Sequence, residues 1–304
     1  MSTSRFPADH GLTSRMLFTM FLLGLLYVAF IGVMIAYGAS FVFVLVLAGG
    51  LLFAQYAFSD RIAMFSMGAH EVSPAEAPVL HGIVDRLCAL ADMPKPRVAI
   101  ADVDMPNAFA TGRDPAHAVV AVTTGILRRL DEPELEAVLA HELSHVAHRD
   151  VMVMTFAGFL GVAAGLLTRM VLYSGMWGGG GGRDRDRDGP PVFMVVVLVS
   201  MVVYAVSFFL TRALSRYREL SADRAGAILT GRPSTLASAL VKISGEMSRI
   251  PTRDLRRAEP LNAFFFAPAV APGLSLSSLF STHPSLERRL EQLARLENQQ
   301  GRQG

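Results

Sequence analysis

The chain has 304 residues, of which 52% are hydrophobic and only 18% are charged. A soluble domain usually carries about 25% charged residues, so this composition indicates that part of the chain is solvated by lipid. Lys and Arg (28) nearly balance Asp and Glu (26), which argues against nucleic acid as a partner. The single cysteine, Cys88, excludes an intrachain disulfide and a multi-thiolate metal site.

Four apolar runs are candidates for membrane spans. Residues 16–37 and 40–58 contain no charge and reach the roughly 20 residues that a spanning helix needs. Residues 151–172 and 191–210 form the third and fourth runs, and a Gly-, Arg- and Asp-rich loop at 178–189 separates them. The distribution of Lys and Arg around four spans places the N-terminus and the soluble parts in the cytoplasm.

The arginines of this loop oppose that topology. Arg183, Arg185 and Arg187 would lie outside, against the positive-inside rule. The alternative is that the third and fourth segments dip into the membrane without crossing it. We prefer four spans, and either arrangement returns the chain to one membrane face.

The first soluble part alternates helix and strand signals. Apolar spacing predicts a helix over residues 76–91, and runs rich in β-branched and small apolar residues predict strands at 97–103 and 118–125. Asp131 and Glu134 predict a capping box, from which a helix continues through His141 toward the third span. After the fourth span, further helices are predicted at 212–229, 234–248 and 285–296.

The segment His141-Glu142-Leu143-Ser144-His145 carries the clearest chemical signal. Histidines four residues apart lie on one face of a helix, one turn distant, so both imidazoles reach one metal ion. Glu142 stands beside His141 in the position of a general base that acts on water, as in H-E-x-x-H metalloproteases. Neutral imidazoles suit Zn²⁺, whose catalytic sites use three protein ligands.

A third metal ligand is expected on the same membrane side as these histidines. Glu219 is the candidate, because it follows the fourth segment just as His145 precedes the third. Asp223 lies one helical turn after Glu219 and is placed to accept a hydrogen bond from a ligand histidine, which fixes its tautomer. The prediction is one Zn²⁺ per chain.

Five segments together resemble the HtpX-type membrane metalloproteases. These are PNAFATG at 106–112, TTGIL at 123–127, LAHELSHVAHRD at 139–150, SRYRELSADRAGA at 215–227 and SSLFSTHPSLERRL at 277–290. The resemblance covers almost the whole chain in the same order, and it is far more specific than the zinc motif alone. The loop at 178–189 does not belong to the family pattern.

The resemblance implies a stress-response endopeptidase of the bacterial inner membrane that cleaves damaged membrane proteins on the cytoplasmic side. It implies that Glu219 is the third zinc ligand and Asp223 its outer partner. It places Asn107 beside the cleft, on or next to an edge strand that holds substrate, and His283 facing the cleft near the developing oxyanion. Implied partners are polypeptide or membrane-protein substrates and the lipid bilayer.

The predicted fold class is α+β, a multi-pass membrane protein with four transmembrane helices and a mainly helical, zincin-like cytoplasmic protease domain with a small β-sheet. The predicted organisation is an N-terminal arm at 1–15, a transmembrane hairpin at 16–58, a first protease part at 59–150, a second hairpin at 151–210 and a second protease part at 211–304.

Two other functions share these features. A prenyl-protein endopeptidase has the same zinc motif and Glu-x-x-x-Asp helix, although four spans disfavour it. A membrane scaffold with a dead metal site is the second, although every expected ligand is present. The apolar stretch at 261–280 is either a lid over the site or a segment packed against the domain.

Overall fold

The computed structural model describes residues 10–36, 49–50, 53–54, 56–150, 153–154, 192–249 and 283–301. The chain divides into two compact units. The first comprises Met1–Thr13, Ala57–Met152 and Arg212–Gly304, and the second comprises Ser14–Tyr56 and Val153–Thr211. The loop at 178–189 and the stretch at 261–280 lie outside the described residues.

Secondary structure follows the chain in an irregular alternation of helices and strands. In order, the elements are α1 (His10–Ala36), α2 (Ser59–Met67), β1 (Ala69–Glu71), α3 (Pro78–Ala91), β2 (Arg97–Ala101), β3 (Ala108–Thr111), a 3₁₀ turn (Pro115–His117), β4 (Val119–Thr123), α4 (Thr124–Leu127), α5 (Glu132–Ala147), α6 (Val192–Thr230), α7 (Pro233–Arg249) and α8 (Leu286–Gln300). The mainly helical architecture with a small sheet is as predicted.

Within the described residues, two helices are long and apolar enough to cross a membrane. These stretches are His10–Gly32 in α1 and Val197–Thr230 in α6. They contain much of the first and fourth predicted spans. Most of the second and third predicted spans lies outside the described residues, so the four-span topology stays a prediction.

The sheet has four strands in the order β1-β2-β4-β3. The central pair, β2 and β4, is parallel, and both outer pairings are antiparallel. The central strands correspond to the predicted ones, and their β-branched residues fill the core. Strands β1 and β3 were not predicted from strand signals, and β3 forms one edge of the sheet.

Helix α5 begins as its sequence predicts. The Asp131 side chain accepts a hydrogen bond from the Glu134 amide, and the Glu134 carboxylate accepts one from the Asp131 amide. This capping box satisfies amide groups that the first helical turn leaves without partners. Its acidic side chains also favour the positive end of the helix dipole.

Helix α5 runs through His141 toward the third predicted span, as predicted. The helix ends at Ala147, His148 caps it, and Arg149 adopts a left-handed backbone with φ of 56°. A residue in this conformation turns the chain away from the helix axis. Asp150 therefore folds back toward the helix, and its Oδ2 lies 2.6 Å from His145 Nδ1.

One hydrophobic core joins the sheet to helices α3, α5, α7 and α8 within the first unit. Val138, Leu139 and Leu143 bury one face of α5 there, and Leu293 brings in α8. His81 is also buried, with its Nε2 3.0 Å from the Val72 carbonyl oxygen. The core fixes the position of α5 and hence of its histidines.

Candidate metal centre

The two motif histidines lie on α5 with their rings buried, and a carboxylate orients each one. His141 Nδ1 is 2.9 Å from Asp223 Oδ1, and His145 Nδ1 is 2.6 Å from Asp150 Oδ2. A histidine that engages a carboxylate through Nδ1 presents Nε2 as its remaining ligand atom. Both rings are thereby prepared to bind through Nε2.

Glu219 on α6 stands opposite these nitrogens. Its Oε2 is 3.8 Å from His141 Nε2, and its Oε1 is 3.4 Å from His145 Nε2. One ligand atom from each of the three residues falls within 4.8 Å of the others. Two imidazoles and one carboxylate are the protein donor set of many catalytic zinc sites, so the side chains present fit that ion.

Charge in this cluster is unevenly distributed. Burial lowers the pKa of His141, which favours the neutral ring. Burial acts the same way on His145, but Asp150 and Glu219 outweigh it and raise the pKa to about 10. Three carboxylates thus surround the two rings and give the cluster an affinity for positive charge.

The Glu142 carboxylate reaches the edge strand of the sheet. Its Oε2 accepts a hydrogen bond of 3.0 Å from the amide of Ala110 in β3. Burial raises the pKa of Glu142 to about 7. A buried carboxylate with a pKa near neutrality is suited to take up and release a proton, which is what a general base must do.

Residues 74–297 match the sequence profile of Peptidase family M48. The chain belongs to peptidase family M48. The resemblance drawn from the five sequence segments is confirmed by relatives over nearly the full chain.

Two relatives show how similar this chain is to known proteins over its length. A protein named Protease HtpX homolog 1 from Streptomyces coelicolor is 58% identical over 98% of this chain and 97% of its own. Protease HtpX homolog from Moorella thermoacetica is 59% identical over 96% of each chain. Family membership makes this chain a peptidase, and the two long apolar helices among the described residues support a membrane location.

A solved structure shows the same fold. The crystal structure of S. mikatae Ste24p superimposes with a TM-score of 0.52 at 16% sequence identity. The match covers 89% of this M48 chain and 62% of the Ste24p chain. At this identity the likeness concerns the fold alone.

The structure places Asn107 directly before the edge strand β3. Its side chain is buried, and its main chain pairs with Thr123, whose amide donates 2.9 Å to the Asn107 carbonyl oxygen. Asn107 therefore lies at the same sheet edge as the Ala110 amide, which donates to Glu142. A substrate contact by Asn107 stays a prediction.

His283 joins the cluster from the segment before α8. It is buried, and its Nδ1 lies 2.9 Å from Glu219 Oε2. The structure thus places His283 against the third candidate ligand of this M48 site. The proposed role of His283 near an oxyanion stays a prediction.

Three residues of the site, Asp150, Arg218 and Arg289, were not predicted from the sequence. Asp150, which holds His145, is paired with Arg218, and Asp223, which holds His141, is paired with Arg289. The only sequence signal for Asp150 was its position, five residues after His145. Arg289 comes from a helix 66 positions after Asp223, and no spacing rule connects the two.

Proposed function

We propose that this M48 chain is a membrane-embedded zinc endopeptidase that hydrolyses peptide bonds of damaged or misfolded membrane proteins at the cytoplasmic face. The observation that carries the proposal is the convergence of His141, His145 and Glu219 within 4.8 Å. The buried Glu142 follows His141 directly in the sequence. Zinc at one ion per chain is the metal that this donor set favours.

The residues divide the work of hydrolysis among them. His141, His145 and Glu219 would hold the zinc ion, whose chemistry when bound is Lewis acidity toward a carbonyl and a lowered pKa of water. Glu142 takes a proton from the attacking water and returns it to the leaving amine. Its pKa of about 7 matches both halves of this transfer near neutral pH.

The edge strand β3 is the proposed binding site for the substrate peptide. Phe109 pairs with Ala121 and Ala110 with Val120 in the antiparallel register of β3 and β4. Main-chain groups alternate sides along such a strand, and the Ala110 amide points away from β4 toward Glu142. An extended peptide added at this edge would run beside the base, held by main-chain hydrogen bonds that demand little of its sequence.

The predicted membrane topology supports the cytoplasmic location. Arg5 and Arg15 precede the first predicted span, and Arg212 and Arg216 follow the fourth. The positive-inside rule then assigns both protease parts to the cytoplasm. A site on this side, in a chain with its own membrane anchors, would meet membrane proteins whose cytoplasmic segments have lost their fold.

The decisive test is Glu142→Gln in detergent-purified full-length protein. We expect the variant to keep one zinc per chain, because Glu142 does not join the ligand cluster. Its turnover of casein should fall about 10²- to 10⁴-fold, the usual contribution of a general base. Glu132→Gln, at an exposed position of the same helix, is the matched control and should retain activity.

Two outcomes would redirect the assignment. Unchanged cleavage by Glu142→Gln would remove Glu142 from the mechanism. Wild-type protein that purifies without stoichiometric zinc, even after loading, would favour a membrane scaffold. A prenylated peptide assayed beside casein separates the general endopeptidase from a prenyl-protein endopeptidase.

A further inference from the structure

The two ligand histidines share a pattern that the proposed mechanism does not use. Each ring is held by a carboxylate, and each carboxylate is held by an arginine from another part of the chain. His141 contacts Asp223, which is paired with Arg289. His145 contacts Asp150, which is paired with Arg218. We call the first set of three residues the Arg289 relay and the second set the Arg218 relay.

We propose that Arg289 and Arg218 are positioning residues that set the zinc affinity of the site through the carboxylates they hold. The proposal rests on the proposed zinc function and extends the metal centre to the C-terminal helix α8. It assigns α8 a part in metal binding, although no residue of α8 is a candidate ligand.

The Arg289 relay is the stronger of the two by geometry. Arg289 donates from Nε to Asp223 Oδ2 at 2.7 Å and from Nη2 to Asp223 Oδ1 at 2.6 Å. This two-point contact fixes the plane of the carboxylate as well as its position. Asp223 Oδ1 is then held 2.9 Å from His141 Nδ1, so the orientation of the ring depends on the guanidinium.

The burial of the Arg289–Asp223 ion pair indicates that the pair does more than stabilise the fold. Arg289 is 2% exposed and Asp223 is fully buried. An ion pair withdrawn from water gains little net stability over apolar residues of similar volume, because desolvation offsets its attraction. A buried arginine at this position is instead suited to hold a buried anion in one orientation, and the neighbouring ligand ring needs that orientation.

The Arg218 relay is built more loosely. Arg218 Nε lies 2.9 Å from Asp150 Oδ2, the same oxygen that faces His145 Nδ1. Its side chain is 11% exposed, compared with 2% for that of Arg289. A single contact in a partly solvated place constrains a carboxylate less than a buried pair of contacts does. The proposal therefore ranks Arg289 above Arg218 in its effect on zinc.

The test measures zinc affinity and not proteolysis. Apo full-length protein in detergent is titrated with zinc against a chromophoric chelator, comparing wild type with Arg289→Met, Arg289→Lys and Arg218→Met. Loss of an outer partner usually weakens metal binding about 10- to 100-fold, and we expect Arg289→Met to fall in this range. Arg218→Met should weaken binding less, and Arg289→Lys should recover part of the loss.

The matched control is Arg288→Met, which removes the adjacent, exposed arginine of α8. It should bind zinc as the wild type does. Circular dichroism of each apo variant identifies any that fails to fold. If Arg289→Met does not fold, Arg289→Lys, which keeps the charge and loses the two-point contact, carries the same comparison.

A double-mutant cycle tests whether Arg289 acts through Asp223. In an Asp223→Asn background, Arg289→Met should change the zinc affinity by less than threefold, because the intermediate carboxylate is already lost. An undiminished effect in that background, or wild-type affinity in folded Arg289→Met, overturns the proposal. Absence of zinc binding by the wild type instead overturns the proposed function, so the two failures are distinguishable.

Discussion

At the residue scale, Gly226 sets how closely α6 approaches α5. A Cβ atom there would lie 2.9 Å from the His141 amide nitrogen and 3.1 Å from the His141 Cα. Both are backbone atoms, so they cannot move aside as a flexible side chain does. Glu219 and Asp223 precede this glycine on α6, and the close approach brings them to the histidines.

Gly226→Ala should therefore separate the two helices and weaken the site. We expect a loss of about 1–3 kcal/mol in the free energy of unfolding from overpacking, together with weaker zinc binding. Gly245→Ala in α7 is the control, because nothing lies within 4 Å of its added Cβ. That variant should gain up to about 1 kcal/mol from helix propensity, measured by thermal unfolding. Equal stability of the two variants would contradict the helix-contact argument.

The residues of the site differ in how far sequence could reveal them. His141, Glu142 and His145 are predictable because a helix converts a fixed spacing into a shared face. Glu219 required a topological argument, and Asp150 and Arg289 depend on a chain reversal and on helix docking. Neither event leaves a periodic pattern, because each depends on packing between distant segments.

At the element scale, Glu134 connects the start of α5 to α7. Its carboxylate accepts hydrogen bonds of 2.7 Å from Ser238 and from Lys242, in addition to closing the capping box. Burial alone would raise the pKa of Glu134, but Lys242 and Ser238 outweigh it and hold the pKa below its ordinary value of 4.5. The group therefore stabilises the fold in its ionised form.

Stability should follow the ionisation of Glu134. The advantage of the wild type over Glu134→Gln should be complete above pH 4.5 and should vanish as the pH falls through the lower pKa of the folded state. Melting temperatures recorded from pH 6 downward measure this difference. Glu291→Gln, which removes one partner of an exposed ion pair on α8, should show little difference at any pH. A constant gap for Glu134→Gln would refute the linkage.

Elements were predicted best where one local rule governs them. The capping box and the strands β2 and β4 follow from local sequence, and α7, predicted over 234–248, spans Pro233–Arg249. Strand β3 was missed because it has only four residues, Ala108–Thr111, and two of them are alanines, which are depleted in strands. Its pairing with β4 in three dimensions supplies what local preference lacks.

At the scale of the whole molecule, the candidate ligands come from two separate stretches of the first unit. His141 and His145 precede the second predicted transmembrane hairpin, and Glu219 follows it. A metal that binds only the folded arrangement stabilises it by about 2.7 kcal/mol at a concentration 100 times its dissociation constant. Zinc is therefore expected to hold these stretches together.

Chelation should lower the melting temperature of this unit, and added zinc should restore it. His145→Ala should abolish the zinc-dependent shift, whereas Glu142→Gln should retain it, because only the former removes a ligand. The shift is followed by the loss of helical circular dichroism on heating. A shift that survives His145→Ala would place the stabilising ion elsewhere.

The position of Arg289 has a consequence for the order of synthesis. Translation at about 5–20 residues per second takes roughly 7–29 s to proceed from His145 to Arg289. During that interval both histidines exist, yet the arginine that orients Asp223 has not been made. Under the proposed role of Arg289, zinc would therefore be held weakly until α8 has been made and has docked, and full affinity would arrive only then.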